Sequence, residues 1–189
     1  MGDGASVPGG AVPRDTWRGH GVLLVAVPAL EQWVRARTAH YDAAFVSDEP
    51  SFPHAHVTVL APFPLERADA VAGLAAAAAP FDFTLVRVEA FPDGVIHVVP
   101  EPADGFRLLT DAARAACPDV VPYWGRVPHP APHVTLDRVG ESVSCASTRA
   151  LLGGVLPASG RAEELVLTWW EAGNCRTILR APLGKGRTW

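Results

Sequence analysis

"HVTVLAPF", residues 56–63, and "HVTLDRV", residues 133–139, carry the same pattern twice, and reading them as a pair decides the fold. Side chains alternate across a strand, so His56 and Thr58 share one face while Val57 and Val59 share the other. In the second copy His133 and Thr135 stand together against Val134 and Leu136. Each strand therefore offers an apolar face to a core and one imidazole plus one hydroxyl to the opposite side. The two histidines are 77 residues apart, close to half of the patterned length.

Working outward, the order strand, helix, strand, helix, strand recurs on both sides of the midpoint. The first half reads as a strand over 21–28, a helix over 29–45, the strand 56–63, an Ala-rich helix over 66–79 that Pro80 ends, and an alternating strand over 81–91. "PDG" then turns the chain into a strand over 95–101. A helix over 105–117, a Pro-rich loop, the strand 133–139 and a short helix over 144–152 come next. Strands over 162–172 and 175–183, joined through Gly173-Asn174, close the chain. This is an internal repeat, weak in sequence and clear in plan. Residues 1–16, rich in Gly, Ala and Pro, read as a flexible arm and 184–189 as a tail. Between them, 17–183 reads as a single α+β domain with halves at about 17–92 and 93–183.

Composition narrows the function. A chain of 189 residues with 49% hydrophobic content buries one sizeable core. A net charge of -4 argues against broad binding to long double-stranded nucleic acid, which depends on many cationic contacts to phosphate. A small anionic ligand remains compatible with it. Cys117, Cys145 and Cys175 are odd in number and far apart, which suggests neither a disulfide framework nor a structural zinc site. "VLLVAVPAL" (22–30) makes a poor signal peptide, with acidic residues before it and Pro28 within it, and no run reaches the length of a membrane span. "MGDGAS" fits the formal myristoylation pattern, but its Gly/Pro-rich surroundings fit an uncleaved arm better. A cytoplasmic monomer without membrane attachment is the expectation. "LGKGRT" (183–188) is not a phosphate loop, because Leu179 and Gly186 stand where that pattern needs Gly and Ser/Thr.

If the halves pack symmetrically, two imidazoles and two hydroxyls converge on one groove. Such a set suits displacement at phosphorus, where one group takes a proton from the nucleophile and another gives one to the leaving oxygen. Histidine, with an ordinary pKa of about 6.5, supplies both protonation states near neutrality. Threonine hydroxyls can donate to the non-bridging oxygens. No metal and no cofactor are needed.

These residues resemble a known family. "HVTVLAPF" and "PHVTLDRV" are similar to the two motifs of the two-histidine (2H) phosphoesterase superfamily, the 2'-5' RNA ligase and cyclic phosphodiesterase group, and the resemblance covers nearly the whole chain from Trp17 onward. It implies a bilobal α+β fold, two pseudo-symmetric lobes with antiparallel sheets around a central groove. It also implies that His56, Thr58, His133 and Thr135 hold the scissile phosphate. The implied activity is that of a metal-independent phosphodiesterase on a cyclic 2',3' or a 2'-5' phosphodiester of a nucleotide or RNA end, reversible as ligation. By analogy with the family, His133 is the base for water and His56 the acid for the leaving oxygen, with the roles reversed in ligation. Lys is absent around both motifs and Ala61 stands where relatives often carry an aromatic residue, which weighs against long RNA substrates.

Other residues are candidates for substrate contact. Tyr123, Trp124 and Arg126 occupy the loop before the second motif, where an aromatic can stack on a base and a guanidinium can meet phosphate. Arg138 could also reach phosphate, although strand parity faces it with Leu136, away from His133. Trp169 and Trp170 take opposite faces, so one is expected in the core and the other at the groove. His54 shares a face with His56, and His129 precedes His133 by four. Together those histidines could build a metal site, but the repeated Thr would then be unexplained, and His54 reads as a bystander. A non-catalytic module that binds a nucleotide or RNA end is the alternative from another class.

Overall fold

The computed structural model describes residues 19–125 and 131–184. The expected arm over 1–16 lies outside the described residues, as do 185–189 of the tail. Among the described residues, eight strands and four α-helices succeed one another as β1 (His20–Ala26), α1 (Glu31–Asp42), β2 (His56–Phe63), α2 (Ala70–Ala77), β3 (Phe81–Ala90), β4 (Val95–Glu101), α3 (Asp104–Ala116), β5 (Val134–Arg138), α4 (Cys145–Leu152), β6 (Ala158–Ala162), β7 (Glu164–Trp170) and β8 (Arg176–Pro182). They build two four-stranded antiparallel sheets, ordered β2-β1-β7-β8 and β5-β4-β3-β6. Among the described residues no helix is long and apolar enough to cross a membrane.

Strand position explains the sequence patterns. β1 lies between β2 and β7, and its run Val22–Val25 is buried on both faces, so it reads as continuously apolar. β2 and β5, the two His-Val-Thr strands, are each the edge strand of their sheet, and the sheets approach one another there. At the turn between β3 and β4, Gly94 adopts φ +88°, a conformation that costs other residues more, and its N–H donates to the Phe91 carbonyl at 2.9 Å.

The sheets do not divide at the midpoint of the sequence. β3, which belongs to the first half by order, pairs with β4 and β6, while β7 and β8 return to the first sheet beside β1. β6, "ASGRA", carries none of the β-branched or alternating apolar pattern that marks a strand; pairing with β3 makes it one. Gly160 is required there, since a Cβ would come within 2.4 Å of the Phe83 ring. α2 begins later than its Ala-rich pattern suggests, after a short 3-10 turn over Leu65–Arg67.

Two helices lace the sheets together. α1 connects β1 to β2 yet packs on β5, where the Trp33 indole N–H donates to the Leu136 carbonyl at 3.3 Å. α3 connects β4 to β5 yet packs on β2. Its apolar stripe Phe106, Leu109 and Ala113 recurs at helical spacing and enters the common core. Phe106 is fully buried between the edges of Phe81 and Phe83, with ring centroids at 4.9 and 5.1 Å. Phe106→Ala is expected to cost about 3–5 kcal/mol, lost transfer energy plus a cavity that packed neighbours cannot fill. Urea unfolding measures it, and a cost below about 1 kcal/mol would show that the core collapses onto the gap.

Candidate active site

Where the two edge strands meet, they and α1 enclose a cavity of about 430 Å³. His56, Thr58, His133 and Thr135 all line it. The alternation of the sequence is realised in both strands: Val57, Val59, Val134 and Leu136 are buried in the core while the His and Thr positions turn to the cavity.

Each histidine is held in the same way. Nδ1 of His56 lies 2.9 Å from the carbonyl oxygen of His54, and Nδ1 of His133 lies 2.8 Å from that of Ala131, in each case two residues upstream. A carbonyl only accepts, so Nδ1 carries the hydrogen and Nε2 is left with its lone pair for a ligand. Burial pushes the pKa of His56 down to about 4, and the nearby His133 adds to the fall. Burial lowers His133 as well, with a further contribution from His97. Both rings are therefore neutral at pH 7.

His54 supports this arrangement from behind. Its Nδ1 meets Glu31 Oε1 at 2.7 Å, and its Nε2 accepts the Ser47 N–H at 3.1 Å. Glu31 also accepts the Ala55 N–H at 2.9 Å. Partial burial opposes ionisation of Glu31, but the hydrogen bonds from His54 and Ala55 outweigh it and hold the carboxyl below its usual range. With both ring nitrogens engaged, His54 fixes the segment whose carbonyl orients His56 and has no nitrogen left for a metal. His129, the other half of that arrangement, lies outside the described residues. Among the described residues no three His, Cys, Asp or Glu side chains group closely enough to hold a metal ion.

The second motif departs from strict alternation. Across β4 and β5, His97 faces Thr135 while Ile96 faces Asp137, so Leu136 is an extra residue in a bulge. Past the bulge strict alternation is lost, and both of the next two residues line the cavity. Asp137 is buried and Arg138 is exposed at the cavity, where strand parity had turned Arg138 away. One Nη of Arg138 donates to the Asp93 carbonyl at 2.9 Å. Asp137 accepts from Arg37 of α1 at 2.8 Å and from the Tyr41 hydroxyl. Burial alone would raise the Asp137 pKa; those two bonds hold it below the usual range.

Of the two adjacent tryptophans, Trp170 reaches the cavity, its ring 5.5 Å from that of His56 and its indole N–H on the Thr168 hydroxyl at 3.0 Å. Trp169 is not core as one of the pair was expected to be: it is half-buried and lies beside Arg176 at 5.7 Å. Tyr123 and Trp124 do not line this cavity. Tyr123 interacts with the Thr58 side chain from a small neighbouring pocket, and Trp124 packs edge-on against His20 in a separate cleft. Arg126 lies outside the described residues.

One neighbour of the site was not anticipated. His97 is buried, stacked on Phe91 at 3.7 Å, and its ring lies 5.5 Å from that of His133. The available signal was a single histidine inside the apolar run "VIHVVPE", a position that needs a local partner.

The model of the 2'-5' RNA ligase superfamily matches residues 26–174, which include both motifs and most of the chain. The chain belongs to that superfamily. No curated protein matches it. Among solved structures, this superfamily member is similar to TT0787 of Thermus thermophilus, with a TM-score of 0.58 and 22% identity over 88% of this chain and 98% of that one. It is also similar to E. coli LigT complexed with 3'-AMP, with a TM-score of 0.54 and 20% identity over 87% and 97%. A structure described as a phosphoesterase aligns with a TM-score of 0.54 and 19% identity over 87% and 98%. At these identities the likeness is one of fold, and it extends over nearly the whole length of each neighbour.

Proposed function

We propose that this 2'-5' RNA ligase superfamily member is a metal-independent phosphodiesterase acting on a cyclic 2',3' or a 2'-5' phosphodiester of a nucleotide or RNA end. The observation that carries the reading is the pair of rings, each pinned at Nδ1 by the carbonyl two residues upstream and each beside its own Thr in one cavity. E. coli LigT, of the same fold, has been solved with 3'-AMP and with ATP, which supports a nucleotide-sized ligand.

In hydrolysis, His133 takes the proton of a water whose oxygen attacks phosphorus, and protonated His56 gives its proton to the ester oxygen as the P–O bond breaks. Thr58 and Thr135 donate to the non-bridging oxygens. With an alcohol in place of water, the same displacement opens the cyclic phosphate to a new phosphodiester, which is ligation; its reversal, with the proton roles of the two histidines exchanged, expels that alcohol and closes the cyclic phosphate again.

The pair needs one proton between its two rings, and both proton affinities are lowered in the free enzyme. Both shifts are downward, so the singly protonated pair is populated on the acid side of the ordinary histidine range, and its one proton must sit on His56 for the hydrolytic step. kcat/KM is therefore expected to be bell-shaped with its optimum on the acid side of about 6.5. Bound phosphate, being negative, raises both affinities and moves the kcat bell to higher pH. EDTA is expected to leave both parameters unchanged. A flat profile across pH 4–8, or loss of rate with EDTA, would overturn the reading. The lowered affinity of His56 also fits a module that binds without turnover, since neutral imidazoles can simply accept hydrogen bonds; tight binding of a cyclic nucleotide with no product would favour it.

A further inference from the structure

Resting on the phosphodiesterase reading, we propose that Glu31 is a positioning residue for the reaction: through a single peptide group it fixes and polarises the carbonyl that grips His56, and so favours the proton on that ring. The peptide between His54 and Ala55 carries both contacts. Its carbonyl oxygen accepts from Nδ1 of His56 at 2.9 Å, and its N–H donates to Glu31 Oε2 at 2.9 Å. A hydrogen bond at one end of an amide strengthens the bond at the other, because the group polarises as a whole. The carboxylate therefore makes the His54 carbonyl a better acceptor, and a better acceptor favours the charged ring over the neutral one. Glu31 thus does at the distance of one amide what a carboxylate in contact with an imidazole does directly.

The charge of Glu31 is kept whole for this task. Nε2 of His54 accepts the Ser47 N–H at 3.1 Å and is therefore bare, so the hydrogen that His54 gives to Glu31 Oε1 at 2.7 Å comes from a neutral imidazole. His54 orients the carboxylate without cancelling it. The segment is braced as well: the Ala55 carbonyl accepts the Val27 N–H at 2.8 Å, and the Ser47 hydroxyl donates to the Cys175 carbonyl at 2.6 Å. Burial sets the low proton affinity of His56, and both the His54 carbonyl and the charge of Glu31 oppose it. The other ring is gripped by a different kind of peptide. The carbonyl that holds His133 belongs to the peptide between Ala131 and Pro132, and proline has no N–H through which a carboxylate could act in this way. Two rings pinned alike are made unequal, which suits a pair that must share one proton.

The test follows the two rings separately, by nitrogen-15 NMR titration of the full-length protein and of its Glu31→Gln variant, beside kcat and KM on a nucleoside 2',3'-cyclic monophosphate. Ionisable groups that share the cavity with His56 are Arg37, Tyr41 and Asp42 of α1 and His133, Asp137 and Arg138 of β5. All are retained in the variant, so a change confined to His56 reads Glu31. His56 is expected to titrate lower by about half to one pH unit, a roughly three- to ten-fold loss of proton affinity, with His133 little moved. kcat should fall by about the same factor, with KM changed less than about two-fold. Glu31 is partly exposed, so the variant should fold, which the melting temperature checks. If it does not, Glu31→Asp, which keeps the charge and shortens the reach, is expected to show the same change at smaller size. An unmoved His56 with an unchanged kcat overturns the inference and leaves the phosphodiesterase reading in place. So do equal shifts of both rings, a loss carried by KM, or failure of both variants to fold, each of which marks Glu31 as structural. If the unaltered protein turns over no cyclic nucleotide, the underlying reading falls, and the inference with it.

Discussion

His56→Ala and His133→Ala are each expected to lower kcat/KM on a 2',3'-cyclic nucleotide about a thousand-fold, within the range that positioned acid or base groups supply. Each removes an imidazole nitrogen that can move a proton at the cavity, and among the described residues no second imidazole is free to replace it. His54 is engaged on Glu31 and Ser47, and the ring of His97 is stacked behind His133 on Phe91. Both catalytic candidates are partly exposed at the cavity and not core, so the variants should fold, which circular dichroism and the melting temperature check. Because the rings act as a unit, the double variant should be little worse than either single one. Activity within three-fold of the parent in either single variant removes the mechanism.

Thr58→Val and Thr135→Val form the second pair. Each keeps the shape of the side chain and deletes a donor aimed at charge that grows in the transition state, so kcat should fall about a hundred-fold with KM changed much less. Thr58 should be the more sensitive of the two, because Tyr123 also touches its hydroxyl and loses a partner. A rise in KM with kcat preserved would mean that the hydroxyls only hold the ground state. Steady-state kinetics on one cyclic nucleotide separates these outcomes.

The site was legible where local periodicity governs. His56 with Thr58 and His133 with Thr135 come from alternation along two short strands, and the elements around them come from the same patterns. What escaped depends on partners distant in sequence. β6 is a strand because β3 binds it, and the exchange of β3 for β7 and β8 is a matter of sheet pairing that no local window contains. Arg138 was faced away because alternation assumes a regular ladder, and one extra residue at Leu136 breaks it, so that Asp137 and Arg138 both line the cavity. The loop residues Tyr123 and Trp124 were placed by closeness in sequence to the second motif; both adopt left-handed backbone angles, φ +50° and +53°, and the chain turns them toward other clefts. His97 gave only a weak cue because a buried histidine declares its role through its neighbours.

The reciprocal seating of α1 on β5 and α3 on β2 constrains how the protein can respond to its ligand. Each helix is chained to one sheet and anchored on the other, so the lobes cannot swing apart like a hinged shell without both helices leaving the core. The separation of the two imidazoles is thereby a property of the entire fold, present at full precision or absent together with it. Ligand entry must use the rim of the cavity, and damage to the distant core should reduce the number of competent molecules while leaving the pace of each survivor untouched.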